Sequence, residues 1–573
     1  MTLASGARYH RVQADDWSED EEEKVTVCLH SASTRTLLSR QKRESCARIT
    51  ASMVLLSVGL YFGFHVLKYG SLEAPEKGNS AKDGQGHHYH GDKVAHHHQH
   101  GVYHHAAVIT DSEICSSFAK EILTEGGNAV DAGVAAMLCL GVVHPHSTGI
   151  GGVLSAVFHN KTLGMTKALN SLPMESLNLS CGVPSTLQGL RLLHREYGSL
   201  GWADLFERPM KLAREGFLID HILAEAVRRV AEHGNDLCPL LCDEGRVLKG
   251  AGANITNRKL ADVLKNISTE MEEAYFPEFL AWQLARDVPR IGQQAFVEAV
   301  TRHRATLVEP LVTELDHFFL YVAPPPASGG ILTQIMKRVD QLSLSLASVS
   351  NAENASTAYL DILNATQQVY QSLPNFLGLV PRSHQAQGEV KPSLKRAPAG
   401  SHVTVIDSSG NVLVMVGSLN STFGAKFLSL STGILLSDFT WRADSSVLYW
   451  ASPAVLKATV GEDLMAIASA GGASAPFAIA QVVVNKVYFE RSAGEAVCGP
   501  RFYLNVGEEG TLQKRVSGLQ RESEIYTRLL QEEPELELVS GTADGVTAML
   551  VESHLGHTSA FNHPQACAFV DGY

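Results

Sequence analysis

The residues best able to start an acyl transfer are hydroxyls, and one of them, Ser401, stands in the run Gly400-Ser401-His402-Val403-Thr404-Val405-Ile406-Asp407. A serine, threonine or cysteine becomes a working nucleophile when a base takes its proton, whereas glycine has nothing to offer. The run reads as a buried strand, in which successive side chains point to opposite faces. His402 and Thr404 therefore share the face of Gly400, and Ser401 shares that of Val403 and Val405. A local bulge would re-aim the Ser401 hydroxyl. Downstream, Gly471-Gly472 allows close backbone approach, which equally suits a tight turn before a helix.

The elements that position these groups begin at residue 106, where apolar strands alternate with amphipathic helices and Gly-rich turns. That mixture predicts an α/β layered domain. Val403–Ile406, Val412–Val416 and Gly433–Leu436 read as buried strands, and Phe477–Tyr488 reads as a helix. The chain has 573 residues, 45% of them hydrophobic and 19% charged, enough for a large core and two or more units. A net charge of −13 without a basic stripe argues against nucleic acid as a partner.

Residues 49–67 form an apolar run without Asp, Glu, Lys or Arg, long enough as a helix to cross a bilayer. Its internal position favours an uncleaved signal anchor. Arg35, Arg40, Lys42, Arg43 and Arg48 precede it and only Lys68, Lys77 and Lys82 follow closely, which puts residues 1–48 in the cytosol. The expected topology is single-pass type II, with the bulk of the chain extracellular or luminal. The seven glycosylation sequons, at Asn160, Asn178, Asn254, Asn266, Asn354, Asn364 and Asn420, all lie beyond the span. Residues 1–48 carry an acidic cluster from Asp15 to Glu23 and read as a disordered tail. Residues 68–105 are rich in Gly, Lys and His and read as a flexible stalk with incidental metal affinity. No dedicated metal site is expected. Cys28 and Cys46 face the cytosol, where Cys46 is a free thiol or a palmitoylation site. Seven cysteines face an oxidising lumen, so at least one stays unpaired. Cys238 and Cys242 have no second ligand pair beside them for zinc.

Several blocks in order identify a family. Gly126-Gly127-Asn128-Ala129-Val130-Asp131-Ala132, His144-Pro145-His146-Ser147 and Gly149-Ile150-Gly151-Gly152 are followed by Val183-Pro184, Tyr197-Gly198, Trp202 and Gly216-Phe217. Then come Glu309-Pro310, Pro324-Pro325-Pro326-Ala327-Ser328-Gly329-Gly330, the Gly400 run and Ser469-Ala470-Gly471-Gly472-Ala473. Over about residues 106–573 the chain resembles the γ-glutamyltransferases. Tyr103-His104-His105, Cys238-Pro239-Leu240-Leu241-Cys242 and Pro564-Gln565-Ala566-Cys567 point to a short type II membrane branch of that family.

The resemblance implies the four-layer αββα sandwich of N-terminal-nucleophile hydrolases, with a large-subunit-like region at 106–399 and a catalytic small-subunit-like region at 400–573. It implies a precursor cut in an exposed linker, here around residues 375–400, and a new N-terminal nucleophile whose α-amine is the base, with no cofactor required. A large/small heterodimer arises only if the chain cuts itself. The expected ligands are glutathione and other γ-glutamyl compounds, with transfer to water or to amino acid and dipeptide acceptors. The family's threonine falls on Gly400, which leaves Ser401 as the replacement candidate. Ser418 matches a second family threonine, Asn420 the residue that contacts the γ-glutamyl group, Asp438 the group that holds the α-amine, and Ser452 a carboxylate-binding serine. Gly471 and Gly472 match the oxyanion-hole pair. An ordinary turn or surface hydrogen bond would use the same polar residues. A glycan at Asn420 and a ligand contact there exclude each other. The family's carboxylate-pairing arginine corresponds to the segment Ala168–Leu172, which has no basic residue, and neighbouring Lys167 lacks the guanidinium fork. Cys115 with Cys139, and Cys238 with Cys242, match family disulfides. The alternative reading is a catalytically degenerate pseudoenzyme that binds or regulates at a membrane.

Overall fold

Runs such as Val153–Asn160 and Val412–Ser421 are apolar with little alternation because both faces are covered. The architecture comes from a computed structural model that describes residues 100–173, 181–231, 237–269, 276–288, 292–372, 398–439, 449–470, 472–506, 512–539, 547–554, 557–562 and 568–573. The expected cytosolic tail, the apolar run 49–67, residues 68–99 of the stalk, Asn178, most of the expected linker, Gly471, Cys28, Cys46 and Cys567 lie outside them. No helix among the described residues is long and apolar enough to cross a membrane.

Fourteen strands build two seven-stranded sheets. In chain order they are β1 (His100–Tyr103), β2 (Ala107–Thr110), β3 (Val153–Asn160), β4 (Met165–Ser171), β5 (Thr306–Val308), β6 (Leu311–Leu315) and β7 (Phe318–Val322). They continue with β8 (Pro398–Ile406), β9 (Val412–Ser421), β10 (Ala454–Ala458), β11 (Leu464–Ala470), β12 (Thr547–His554), β13 (His557–Asn562) and β14 (Phe569–Gly572). Sheet I has the order β14-β2-β8-β9-β3-β4-β5, and sheet II the order β1-β13-β12-β11-β10-β7-β6. All neighbours are antiparallel.

Three apolar clusters define the layers. Ile109, Val157, Ile406, Val412 and Val414 of sheet I meet Val455, Leu464, Ala466 and Val551 of sheet II between the sheets. Val403, Val405, Leu413 and Met415 face outward into a cluster with helices α1 (Glu113–Thr124) and α2 (Ala129–Val143). Leu320, Leu456, Met465 and Ile467 face the other way, against α3 (Gly329–Asp340), α4 (Ala352–Ser372) and α5 (Ala475–Val487). Helices, two sheets and helices thus stack in an α/β fold.

α2 is the most deeply placed helix. Asn128 opens it with a capping box, accepting from Val130 N at 2.9 Å and Asp131 N at 3.1 Å, while Asp131 Oδ2 accepts Asn128 N at 3.0 Å. Being buried all round, it is apolar all round. A Cβ on Gly133 would sit 2.4 Å from Leu413 Cδ2, so glycine sets how closely α2 approaches β9.

Two expectations need correction. Gly433–Leu436 is a strand only at Leu435–Leu436, paired with Phe427–Leu428 in a small hairpin, because Gly433 adopts φ +73 and turns the chain. The expected stalk ends earlier than residue 105: His100–Tyr103 is drawn into sheet II, where it pairs antiparallel with Phe561, Ala560, Ser559 and Thr558 of β13.

Candidate active site

The start of β8 and the end of β9 lie at one end of sheet I, where Ser401 faces Gly417 and Ala399 faces Asn420. In sheet II, β10 begins and β11 ends together, with Ala454 opposite Ile467. Tyr449 ties the two ends. Its hydroxyl donates to Val416 O at 2.7 Å, its N–H donates to Pro326 O at 3.0 Å, and its ring packs with Val153, Val416 and Ala451.

Ser401 is 1% exposed, and its Oγ lies 2.6 Å from Ser147 Oγ. A register shift at Gly400 marks a bulge between Ala399 and Ser401. The bulge precedes Ser401, so the hydroxyl keeps the phase of Val403 and Val405 and points to the helix-facing side. His402 has the opposite phase. Its backbone N–H donates to Asp111 Oδ2 at 2.7 Å, and its Nδ1 lies 2.7 Å from Asp111 Oδ1, off the line of the ring N–H.

Ser147 is held by the loop that follows α2. Leu419 N donates to Ser147 O at 2.9 Å and Phe423 N to His146 O at 2.8 Å, so the end of β9 pins the loop. His144 Nε2 lies 2.6 Å from Asp220 Oδ2. Burial works to raise the Asp220 carboxyl, but hydrogen bonding and attraction from His144 outweigh it and hold the group at about 2. Burial, helped by His144 and opposed by Asp220, pushes the neighbouring His146 down to about 3.

Ser418 shares the phase of Val412 and Val414 and so faces the space between the sheets. Its Oγ accepts Asn420 N at 2.7 Å. Asn420 is half-buried at φ +77, a left-handed conformation that asparagine tolerates. Asp438, 5% exposed, accepts Ser421 N at 3.2 Å and Ser421 Oγ at 2.6 Å, and its own N–H donates to Leu419 O at 3.2 Å. Ser418, Asn420 and Asp438 are therefore gathered at the end of β9. Ser452 Oγ lies 2.9 Å from Ser328 Oγ in the opposite sheet's loops. Gly472, at φ +103, follows β11 and its O accepts Ala475 N at 3.0 Å, opening α5. Sequence reasoning gave no site role to Asp111, Ser147, Ser328 and Ser421, whose partners lie 291, 254, 124 and 17 positions away.

Within the segment Ala168–Leu172, Asn170 Nδ2 donates to Pro324 O at 2.9 Å and its Oδ1 accepts Ser155 Oγ at 3.1 Å. Lys167 pairs with Glu309. Cys115–Cys139 and Cys238–Cys242 are disulfides, so the latter pair holds no zinc. Cys181 and Cys498 are free. Of the sequon asparagines, Asn254, Asn266, Asn354 and Asn364 are exposed and Asn160 is half-buried like Asn420.

A sequence model of the family described as gamma-glutamyltranspeptidase matches residues 115–378 and 380–532. The chain belongs to that family. It is 32% identical over 451 residues to glutathione hydrolase 6 of Bos taurus, covering 77% of this chain and 79% of the relative. It is 27% identical over 471 residues to the glutathione hydrolase 5 proenzyme of Rattus norvegicus, covering 70% and 82%. The cephalosporin acylase of Bacillus halodurans superposes with a TM-score of 0.67 at 17% identity, covering 86% of this chain and 99% of that one, a likeness of fold alone.

Proposed function

We propose that the chain binds glutathione or other γ-glutamyl compounds at this end of the sandwich and cleaves the γ-glutamyl bond, passing the acyl group to water or to an amino acid or dipeptide acceptor. Membership of the family, with relatives named glutathione hydrolases, supports the substrate class. The observation that carries the reading is the gathering of Ser418, Asn420 and Asp438 at the end of β9. Asp438 supplies a carboxylate for an α-ammonium group, and the Gly471-Gly472 pair matches, by resemblance, the family's oxyanion donors.

For chemistry, the peptide bond before Ser401 must break, giving an N-terminal serine whose α-amine, at about 7.7–8.0 when unperturbed, serves as base. The ectodomain reading, with a signal anchor at 49–67 and glycans on the exposed sequons, belongs to the same proposal. The direction of the Ser401 hydroxyl favours a second reading. While bonded to Ser147 it faces away from Ser418, which fits a catalytically degenerate binding protein.

The deciding measurement is the mass of the deglycosylated full chain under reducing, denaturing conditions, with N-terminal sequencing of any fragment and assay of release from a γ-glutamyl anilide. A fragment beginning at Ser401, with turnover that Ser401→Ala abolishes, establishes the hydrolase. An intact chain without turnover that still binds a γ-glutamyl ligand, and loses it with Asp438→Asn, establishes the second reading.

A further inference from the structure

The fold lifts one histidine out of the His-rich tract and sets it in line with two from the far end of the chain. In sheet II, β1 runs antiparallel to β13 with Tyr103 opposite Thr558, so the next positions in register are His104 and His557. β13 runs antiparallel to β12, and there His557 stands opposite His554. Three histidine positions thus form one row across three neighbouring strands, where directly opposed residues are about 4.5–5.5 Å apart. His104 and His557 are both exposed. Their ring centroids lie 5.2 Å apart, with the planes at 61°. A tetrahedral zinc ion binds imidazole nitrogen at about 2.0–2.1 Å, which puts the centroids of two bound rings roughly 5 Å apart. The pair therefore already has the separation that one shared ion requires. Glu552, two positions before His554 on β12, is committed to Lys486 at 2.7 Å. The row offers neutral imidazole and no free carboxylate from β12, a donor set that suits zinc over calcium or magnesium.

We propose that His104 and His557, joined from the next strand by His554, hold a zinc ion that fastens β1 to the β12–β13 hairpin. Among the described residues no three metal-binding side chains converge, so the preset part is the His104–His557 pair. His554 and water fill the rest of the tetrahedron when the ion arrives. β1 gains most from such a fastening, because it is four residues long and lies at the edge of sheet II, paired with β13 on one side. Short edge segments open at little cost in free energy. The ion stands away from the γ-glutamyl groups: β12 starts with Thr547 opposite Ala470, at the candidate active end, and finishes at His554. It is therefore a structural ion, independent of whether the chain cleaves itself or turns over a substrate.

The test uses the full chain with His87, His88, His90, His96, His97 and His98 replaced by Asn, which removes the rival ligands of the stalk. Equilibrium dialysis against zinc chloride near neutral pH, where imidazole is free to bind, is expected to show one bound ion. His104→Ala, His554→Ala and His557→Ala should each weaken it at least about tenfold, since losing even an outer-shell partner costs that much. Zinc should also slow hydrogen exchange at the β1 amides of the parent and leave the exchange of His557→Ala unchanged. No bound zinc, an affinity unchanged in any of the three variants, or β1 exchange indifferent to zinc overturns the proposal. Should a variant fail to fold, diethyl pyrocarbonate decides on the unsubstituted chain, with the adducts mapped by mass. Zinc is expected to shield His104 and His557, and equal modification with and without zinc overturns the site.

Discussion

The hydroxyl of Ser401 exchanges one hydrogen bond for burial at 1% exposure, and its partner Ser147 is 5% exposed. Ser147 Oγ also donates to His144 O at 3.2 Å, so removing Ser147 orphans the buried Ser401 hydroxyl at a cost of about 1–3 kcal/mol, whereas removing Ser401 leaves Ser147 with one partner. Ser147→Ala and Ser401→Ala are each expected to lower the urea midpoint. The double variant should cost less than the two single losses added, with a coupling of about 1 kcal/mol. Additive losses would show that the contact is not made in solution. If Ser401 must turn toward Ser418 for catalysis, Ser147→Ala should also speed cleavage before Ser401. At this scale the sequence was legible through strand alternation, which puts Ser401 with Val403 and Val405. It was not legible for Asp111 and His402, which meet across 291 positions with no local pattern to announce them.

Elements were easier to read where both faces are buried. β8, β9 and the helix α5 follow from apolar runs of the right length, whereas the strand expected at Gly433–Leu436 shortened to two residues because a left-handed glycine turns it. β1 was missed because it is only four residues long and opens with His100 and Gly101, which carry little strand signal, and its pairing partner lies at residues 558–561. The Cys115–Cys139 bridge joins α1 to α2 across 24 positions, so Cys115→Ser with Cys139→Ser should cost about 2–4 kcal/mol, read as a lower denaturant midpoint. Gly472→Ala forces a side chain into φ +103 at the turn into α5 and should cost about 1–3 kcal/mol. An unshifted midpoint would mean that the turn relaxes.

Across the whole molecule, acid should destabilise the fold through buried imidazoles. Burial lowers His146 to about 3, and lowers His159 and His303 to about 4, with Lys457 aiding the second and Arg304 the third. Each folded value lies below that of the unfolded chain, so the unfolded state takes up protons first. Stability is therefore full above about pH 6.5 and falls as pH drops toward the folded values, by up to about 1.4 kcal/mol per pH unit for each histidine. Asp220, held at about 2, adds a further loss below about pH 4 as its carboxyl is protonated. Urea midpoints from pH 7.5 to 4 check this, and a flat profile between 6.5 and 5 would contradict it. His146→Gln should flatten the slope by about a third if the three sites titrate independently.

The order of sheet I has a practical bearing on how a severed molecule would behave. β8 and β9, which follow the segment 373–397, lie between β2 and β3, which precede it, and β10 pairs with β7 in sheet II. Cutting the chain in that segment would leave two polypeptides woven through each other, held by the same ladders and the same core. Gel filtration would then report one undivided particle, and the break would come to light only in denaturant.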